Sequence, residues 1–166
     1  MIRKAFHSDI DAIFKLINLH AERGQMLFRA RQDIKQNIGS FLIMEKNGEL
    51  FATCSLKVGW DRLLEIRSLA VNQSYYRRGL GTALVRECIV KAENMKVNKV
   101  FVLTYAIALF ARLGFEVINK GALPLKIWSD CHGCQKRDFC DETAMILDLH
   151  LSRMYNSRKV MGPCFK

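Results

Sequence analysis

The feature that most constrains this chain is a strand, a basic glycine turn and an amphipathic helix in unbroken succession between Leu63 and Asn94. Leu63 to Val71 carries β-branched and large apolar side chains and no Gly or Pro, the signature of a strand. Beyond Gly81, Ala83, Leu84, Cys88, Ala92 and Met95 recur at the period of a half-buried helix, with Arg86, Glu87, Lys91 and Glu93 between them. The joining turn, Arg77-Arg78-Gly79-Leu80-Gly81-Thr82, puts two arginines and two glycines at a helix start. Backbone N–H groups at such a start, approached closely past glycine, make a site for a polyanion such as a pyrophosphate. Taken alone, the same turn also reads as an ordinary connection with solvated arginines.

The remaining elements follow in order. Ile2 to Phe6 reads as a strand, and Ser8 ahead of Asp9 and Asp11 as the N-cap of a helix lasting to about Ala21, with Ile10, Ile13, Phe14, Ile17 and Leu19 on its apolar face. Gly24 ends that helix, Gln25 to Arg31 is a loop, and Gln32 to Ile38 a second short helix. Asn47-Gly48 between Phe41–Lys46 and Leu50–Val58 predicts a β-hairpin. Lys99 to Leu103 is a strand, a short helix starts at Ala106, and Thr143 to Leu149 is the last strand. One domain over residues 1–150 and a basic, mobile tail over 151–166 are expected.

With half of its 166 residues hydrophobic and a quarter charged, the chain has material for one sizeable core. No apolar run is long enough to span a bilayer and the N-terminus lacks a signal-peptide core, so a cytoplasmic protein without membrane contact is expected. The formal net charge of +10 favours anionic ligands. Nucleic acid is disfavoured as the partner, because no helix-turn-helix pattern, arginine run or aromatic ladder accompanies the charge.

The order from Leu63 through Leu113-Gly114-Phe115 resembles the GCN5-related N-acetyltransferase superfamily, and the resemblance covers about Met1 to Leu149. It implies an α/β fold, the GNAT fold: a mixed, mostly antiparallel sheet flanked by helices and splayed between its fourth and fifth strands. It also implies acetyl-CoA as co-substrate, with its pyrophosphate on the turn from Arg77 to Thr82 (Arg77, Arg78, Gly79, Leu80, Gly81, Thr82) and its acetyl and pantetheine groups along Leu69, Ala70 and Val71.

Transfer of an acetyl group to an amine needs a base and a proton donor to the departing thiolate. Period-two alternation places Leu63, Glu65, Arg67, Leu69 and Val71 on one strand face if no bulge intervenes. A glutamate and an arginine on an otherwise apolar strand are costly to bury idle, although pairing with each other or with neighbours would also account for them. Glu65 stands where histone-type members carry their catalytic glutamate, which implies a general base. The chain departs from the superfamily pattern at Tyr76, Leu103 and Phe110, the last where many members carry the tyrosine that protonates the thiolate. Tyr105 is the substitute donor, or else part of an aromatic core.

The phrases Arg23-Gly24-Gln25-Met26-Leu27, Leu64-Glu65-Ile66-Arg67-Ser68-Leu69-Ala70-Val71 and Leu123-Pro124-Leu125-Lys126-Ile127-Trp128 are similar to short, stand-alone bacterial amino-acid N-acetyltransferases of the N-acetylglutamate synthase type. That implies acetyl transfer to the α-amino group of L-glutamate in arginine biosynthesis, a small-molecule amino acid acceptor. Guanidinium groups suit a dicarboxylate, and the candidates are Arg67, Arg29, Arg31 and Lys126. Another small amine, a protein N-terminus, or acetyl-CoA binding without turnover are the alternatives. Oligomeric state stays open, a homodimer included. Finally, Cys131, Cys134 and Cys140 form a tight cluster that would suit zinc with a fourth ligand. Reduced thiols bracing a loop or a redox-sensitive disulfide are favoured over the metal, because a second Cys-x-x-Cys knuckle is missing.

Overall fold

The computed structural model describes residues 1–59, 62–124 and 140–150. Among them, seven strands form one mixed sheet: β1 (Ile2–Lys4), β2 (Phe41–Lys46), β3 (Glu49–Val58), β4 (Leu63–Val71), β5 (Lys99–Thr104), β6 (Glu116–Val117) and β7 (Thr143–Asp148). Their order across the sheet is β1-β2-β3-β4-β5-β7-β6, antiparallel except for the parallel pair β4 and β5. Flanking it, among the described residues, are the helices α1 (Ile10–Glu22), α2 (Arg31–Gln36), α3 (Leu80–Asn94) and α4 (Ile107–Ala111).

The hairpin is where Asn47-Gly48 places it. Both residues take positive φ, 53° and 78°, the conformation that matches the twist of the two strands. The start of α1 differs from expectation. Ser8 is not its cap; a 3-10 turn over His7–Asp9 leads into the helix, and the Asp9 carboxylate accepts from the Phe6 N–H at 2.7 Å. Asp9 is held there by the Arg3 guanidinium, at 2.7 and 3.0 Å, which keeps the carboxyl group below its ordinary range. The buried face of α1 is Ile13, Leu16, Ile17, His20 and Ala21, a regular i, i+3, i+4 stripe. Leu19 falls outside that stripe and is exposed.

Two cores result. On one face α1 and α2 bury Ile13, Leu16, Ile17 and Ile34 against Phe41, Ile43 and Ala70. On the other, α3 and α4 bury Leu84, Val85, Cys88, Ala92 and Phe110 against Leu64, Ile66, Val100 and Val102. Each fully buried aliphatic side chain contributes about 1.5–3 kcal/mol of transfer free energy. The thiols of Cys54 and Cys88 meet at 3.3 Å where β3 packs on α3, and the Cys88 hydrogen bond together with burial pushes the Cys54 thiol well up. Short β6 went unread because two residues carry no periodic signal.

A bulge corrects the expected alternation on β4. Ala70 faces Thr53 and Arg67 faces Ser55, so Ser68 and Leu69 together oppose Cys54, with Ser68 at a φ of 54°. Glu65 and Arg67 therefore keep one face, whereas Leu69 and Val71 cross to the other and pack with Leu64 and Ile66. Ala70 instead joins the core under α1.

Candidate active site

Strands β4 and β5 pair only from Leu63 opposite Lys99 to Glu65 opposite Phe101. Past that point the sheet opens, and a cleft of about 790 Å³ runs between Ile66–Leu69 on one side and Val102–Tyr105 on the other. Its size is that of a site for a cofactor-sized ligand. In the opening neither strand has the other to pair with, so main-chain groups face whatever enters.

The end of the cleft beyond β4 is made by the turn. Arg77 and Gly79 both take positive φ, 60° and 76°, and Gly79 caps α3. The first main-chain bond of the helix runs from the Ala83 N–H to the Gly79 carbonyl. The amides of Leu80, Gly81 and Thr82 thus have no intrahelical carbonyl to bind, and all three residues line the cleft. A Cβ on Gly81 would stand 3.3 Å from the Leu109 side chain and 3.9 Å from those of Leu69 and Val71, so the bare glycine keeps this floor low. Arg77 lines the cleft. Arg78 does not; its guanidinium lies 5.2 Å from the centre of the Tyr75 ring, which is itself stacked on Phe51. The turn therefore offers one arginine and a set of amides to an anion, rather than two arginines.

Leu69 and Val71 line the cleft, and Ala70, turned into the core, does not. The Asn72 N–H donates to the Phe51 carbonyl on β3, so the preceding residue turns its own main chain toward the opening. There the Val71 carbonyl accepts a hydrogen bond from His20 Nε2 at 2.9 Å, while His20 Nδ1 lies 2.7 Å from Gln25 Oε1. His20 escaped the sequence reading. Its signal was its place on the buried stripe of α1, where a polar side chain must find partners.

The other end of the cleft carries the charge. Glu65 lies opposite Lys57 on β3 and 3.8 Å from Arg67. Arg67 and Arg29 are largely buried, their side chains 9% and 16% exposed, and both approach Oδ2 of Asp33, at 3.9 and 3.5 Å. Such distances mark charge contacts rather than hydrogen bonds. Two hydrogen bonds between the Arg29 main chain and the Asn18 side chain, each 3.0 Å, fix the Arg29 backbone against α1. Arg31, expected beside these groups, is not brought into the cleft. It pairs with Asp11 and lies over the Phe14 ring, because it begins α2 on the outer side.

Tyr105 is no core residue: it is 41% exposed on the cleft wall and its hydroxyl donates to Asp141 Oδ1 at 2.5 Å. Phe110 is buried edge-on against Phe115, 5.2 Å between centroids, with no polar group to offer. Arg112 and Glu142, unmarked in the sequence reading, complete the rim. Cys140 is a half-buried free thiol; Lys126, Cys131, Cys134 and the segment 151–166 lie outside the described residues. Among the described residues no group of three or more His, Cys, Asp or Glu side chains is placed to hold a metal, and no helix is long and apolar enough to cross a membrane.

Comparison with known proteins agrees with this geometry. The acetyltransferase (GNAT) family profile matches residues 7–115. An uncharacterized N-acetyltransferase of Chlorobaculum tepidum is 36% identical over 148 residues, which make up 89% of this chain and 96% of that protein. An amino-acid acetyltransferase of Mycobacterium tuberculosis is 29% identical over 90% of this chain and 84% of its own length. Among solved structures, N-acetylglutamate synthase from Neisseria gonorrhoeae, complexed with coenzyme A and N-acetyl-glutamate, superposes with a TM-score of 0.82 at 28% identity. The match covers 90% of this chain and 35% of that longer one.

Proposed function

The chain belongs to the acetyltransferase (GNAT) family, and on that premise we propose that it moves the acetyl group of acetyl-CoA to the α-amino group of L-glutamate, the opening reaction of arginine biosynthesis in the cytoplasm. One observation carries the reading. A single cleft holds an amide-lined helix start at one end and, at the other, a carboxylate, Glu65, beside two largely buried guanidiniums, Arg67 and Arg29. The relatives named as amino-acid acetyltransferases and the neighbour holding coenzyme A and N-acetyl-glutamate support the same choice of donor and acceptor.

The residues fit that donor: the low floor at Gly81 and the amides of Leu80, Gly81 and Thr82, with Arg77 beside them, suit a diphosphate. Acetyl-CoA supplies an activated acetyl thioester. The N–H of Val71 meets the pantetheine portion, its carbonyl being engaged by His20. Arg67 and Arg29 hold an acceptor carboxylate, for which a planar guanidinium is the fitted partner. Glu65 takes the proton that the acceptor ammonium must lose before its nitrogen becomes nucleophilic. The Tyr105 hydroxyl, whose one proton is donated to Asp141 in the structure, turns from that carboxylate to give the proton to the departing sulfur, in place of the hydroxyl that Phe110 lacks.

A second reading, acetyl-CoA binding without turnover, is favoured by Phe110 alone. Thiol release from acetyl-CoA, followed across amino acids, polyamines and N-terminal peptides, separates the cases. Turnover with glutamate is the expected result. Turnover confined to polyamines or peptides would reassign the acceptor, and binding without turnover would replace the enzyme by a sensor.

A further inference from the structure

His20 lines the cleft and is 6% exposed, yet it takes no part in the proton transfers above. Its ring joins two parts of the site. Nε2 lies 2.9 Å from the Val71 carbonyl at the end of β4, and Nδ1 lies 2.7 Å from Oε1 of Gln25 in the loop after α1. A carbonyl oxygen only accepts, so Nε2 carries a hydrogen in either charge state of the ring. The peptide group between Val71 and Asn72 is thereby held at both edges, its oxygen by His20 and its N–H by the Phe51 carbonyl at 2.7 Å. We propose that His20 is a positioning residue for the thioester donor: it occupies the Val71 carbonyl and leaves that rung of β4 to act through its N–H, which a carbonyl of the pantetheine arm meets.

The register explains why the carbonyl needs an occupant. Val71 stands opposite Ala52, and the bond from Asn72 to Phe51 makes that pair one whose members do not bond each other, so the Val71 N–H and carbonyl both turn away from β3. An open strand edge offers a ligand both a donor and an acceptor. Each amide of a pantetheine arm also carries one of each, so two ways of laying the arm on the strand compete. With the imidazole on the Val71 oxygen, an arm N–H meets a site already filled by a donor, whereas an arm carbonyl finds the Val71 N–H already fixed in place. An apolar side chain would serve the buried stripe of α1 at least as well, so packing does not account for a histidine there.

The inference rests on the reading that the cleft takes coenzyme A along Val71, and its test separates the two. Isothermal titration compares coenzyme A with its nucleotide portion, adenosine 3′,5′-bisphosphate, which lacks the pantetheine arm, on the wild type and on His20→Met, His20→Asn and His20→Gln. The glutamine amide reaches as far as Nε2 and keeps a donor for Val71, whereas the asparagine amide stops at the place of Nδ1 and falls short. His20→Met and His20→Asn are expected to bind coenzyme A about tenfold more weakly, the scale of one lost buried hydrogen bond. The bisphosphate should bind both as it binds the wild type, and His20→Gln should recover most of the lost affinity for coenzyme A. A merely structural residue would lower resistance to urea without separating the two ligands, or glutamine from asparagine. Should His20→Met fail to fold, the asparagine and glutamine variants decide between them. Wild-type affinity for coenzyme A in His20→Asn, equal weakening of both ligands, or no recovery with glutamine overturns the role of His20 alone. A folded wild type that gives no heat with coenzyme A overturns the reading of the cleft and this inference with it.

Discussion

Glu65 and Arg67 sit side by side on β4 at 3.8 Å, and their neighbours decide what each does. Lys57 faces Glu65 across the strand pair and Ser55 faces Arg67. If Glu65 removes the acceptor's proton, Glu65→Gln should lower turnover by about 100-fold at neutral pH, the usual contribution of a positioned base. The loss should shrink at high pH, where unprotonated amine is abundant; a pH–rate profile parallel to that of the wild type would exclude the role. For Arg67→Ala, the KM for glutamate should rise by about tenfold or more, the cost of losing a charge-assisted pair, with the KM for acetyl-CoA nearly unchanged. The opposite split would move Arg67 to the donor end. Both residues were legible in the sequence, since charges on an apolar strand ask for an explanation. His20 and Asp33 were not, because their significance arises only when α1 and α2 are laid on the sheet. Nor could the sequence tell Arg77 from Arg78, whose fates differ by which one meets Tyr75.

Within the elements, two local devices bear on stability and binding separately. Asp9 ties β1 to the entry of α1 through Arg3 and the Phe6 N–H. The Arg3 hydrogen bond lowers its proton affinity in the folded state, so the stabilisation is present above the ordinary aspartate range and is lost as pH falls through the lowered value. Asp9→Asn should therefore cost about 1–2 kcal/mol near neutrality and progressively less in acid, read from urea unfolding at several pH values. A cost that does not shrink on acidification would deny the charge its part. Gly81→Ala probes the other device. Alanine suits a helical position and Leu109 has a flexible end to move, so unfolding stability should hold to within about 1 kcal/mol. The added methyl raises the cleft floor under the proposed diphosphate, and coenzyme A should bind about tenfold more weakly or worse, the loss expected where a close main-chain approach is blocked. Undiminished affinity would place the diphosphate elsewhere. The helices and the hairpin were legible from their periods and from Asn47-Gly48. The bulge at Ser68 and Leu69 was not, since nothing in an apolar run marks where one extra residue enters, and it reverses which face of the sheet Leu69, Ala70 and Val71 present.

For the whole molecule, the deciding feature is that β4 and β5 begin as a parallel pair and then part. Parallel strands need a crossover, and here the crossover is α3 with the basic turn at its start, so the same connection that joins the strands also delivers the proposed diphosphate site to the mouth of their opening. That arrangement was foreseen through family resemblance rather than from hydrophobic pattern, which cannot say where two strands separate. The central claim is that this opening binds a coenzyme A thioester. Isothermal titration of the folded protein with coenzyme A and with acetyl-CoA tests it most directly: saturable heat at one site per chain is predicted for both ligands, and no heat from either, in protein whose circular dichroism shows it folded, would contradict the account.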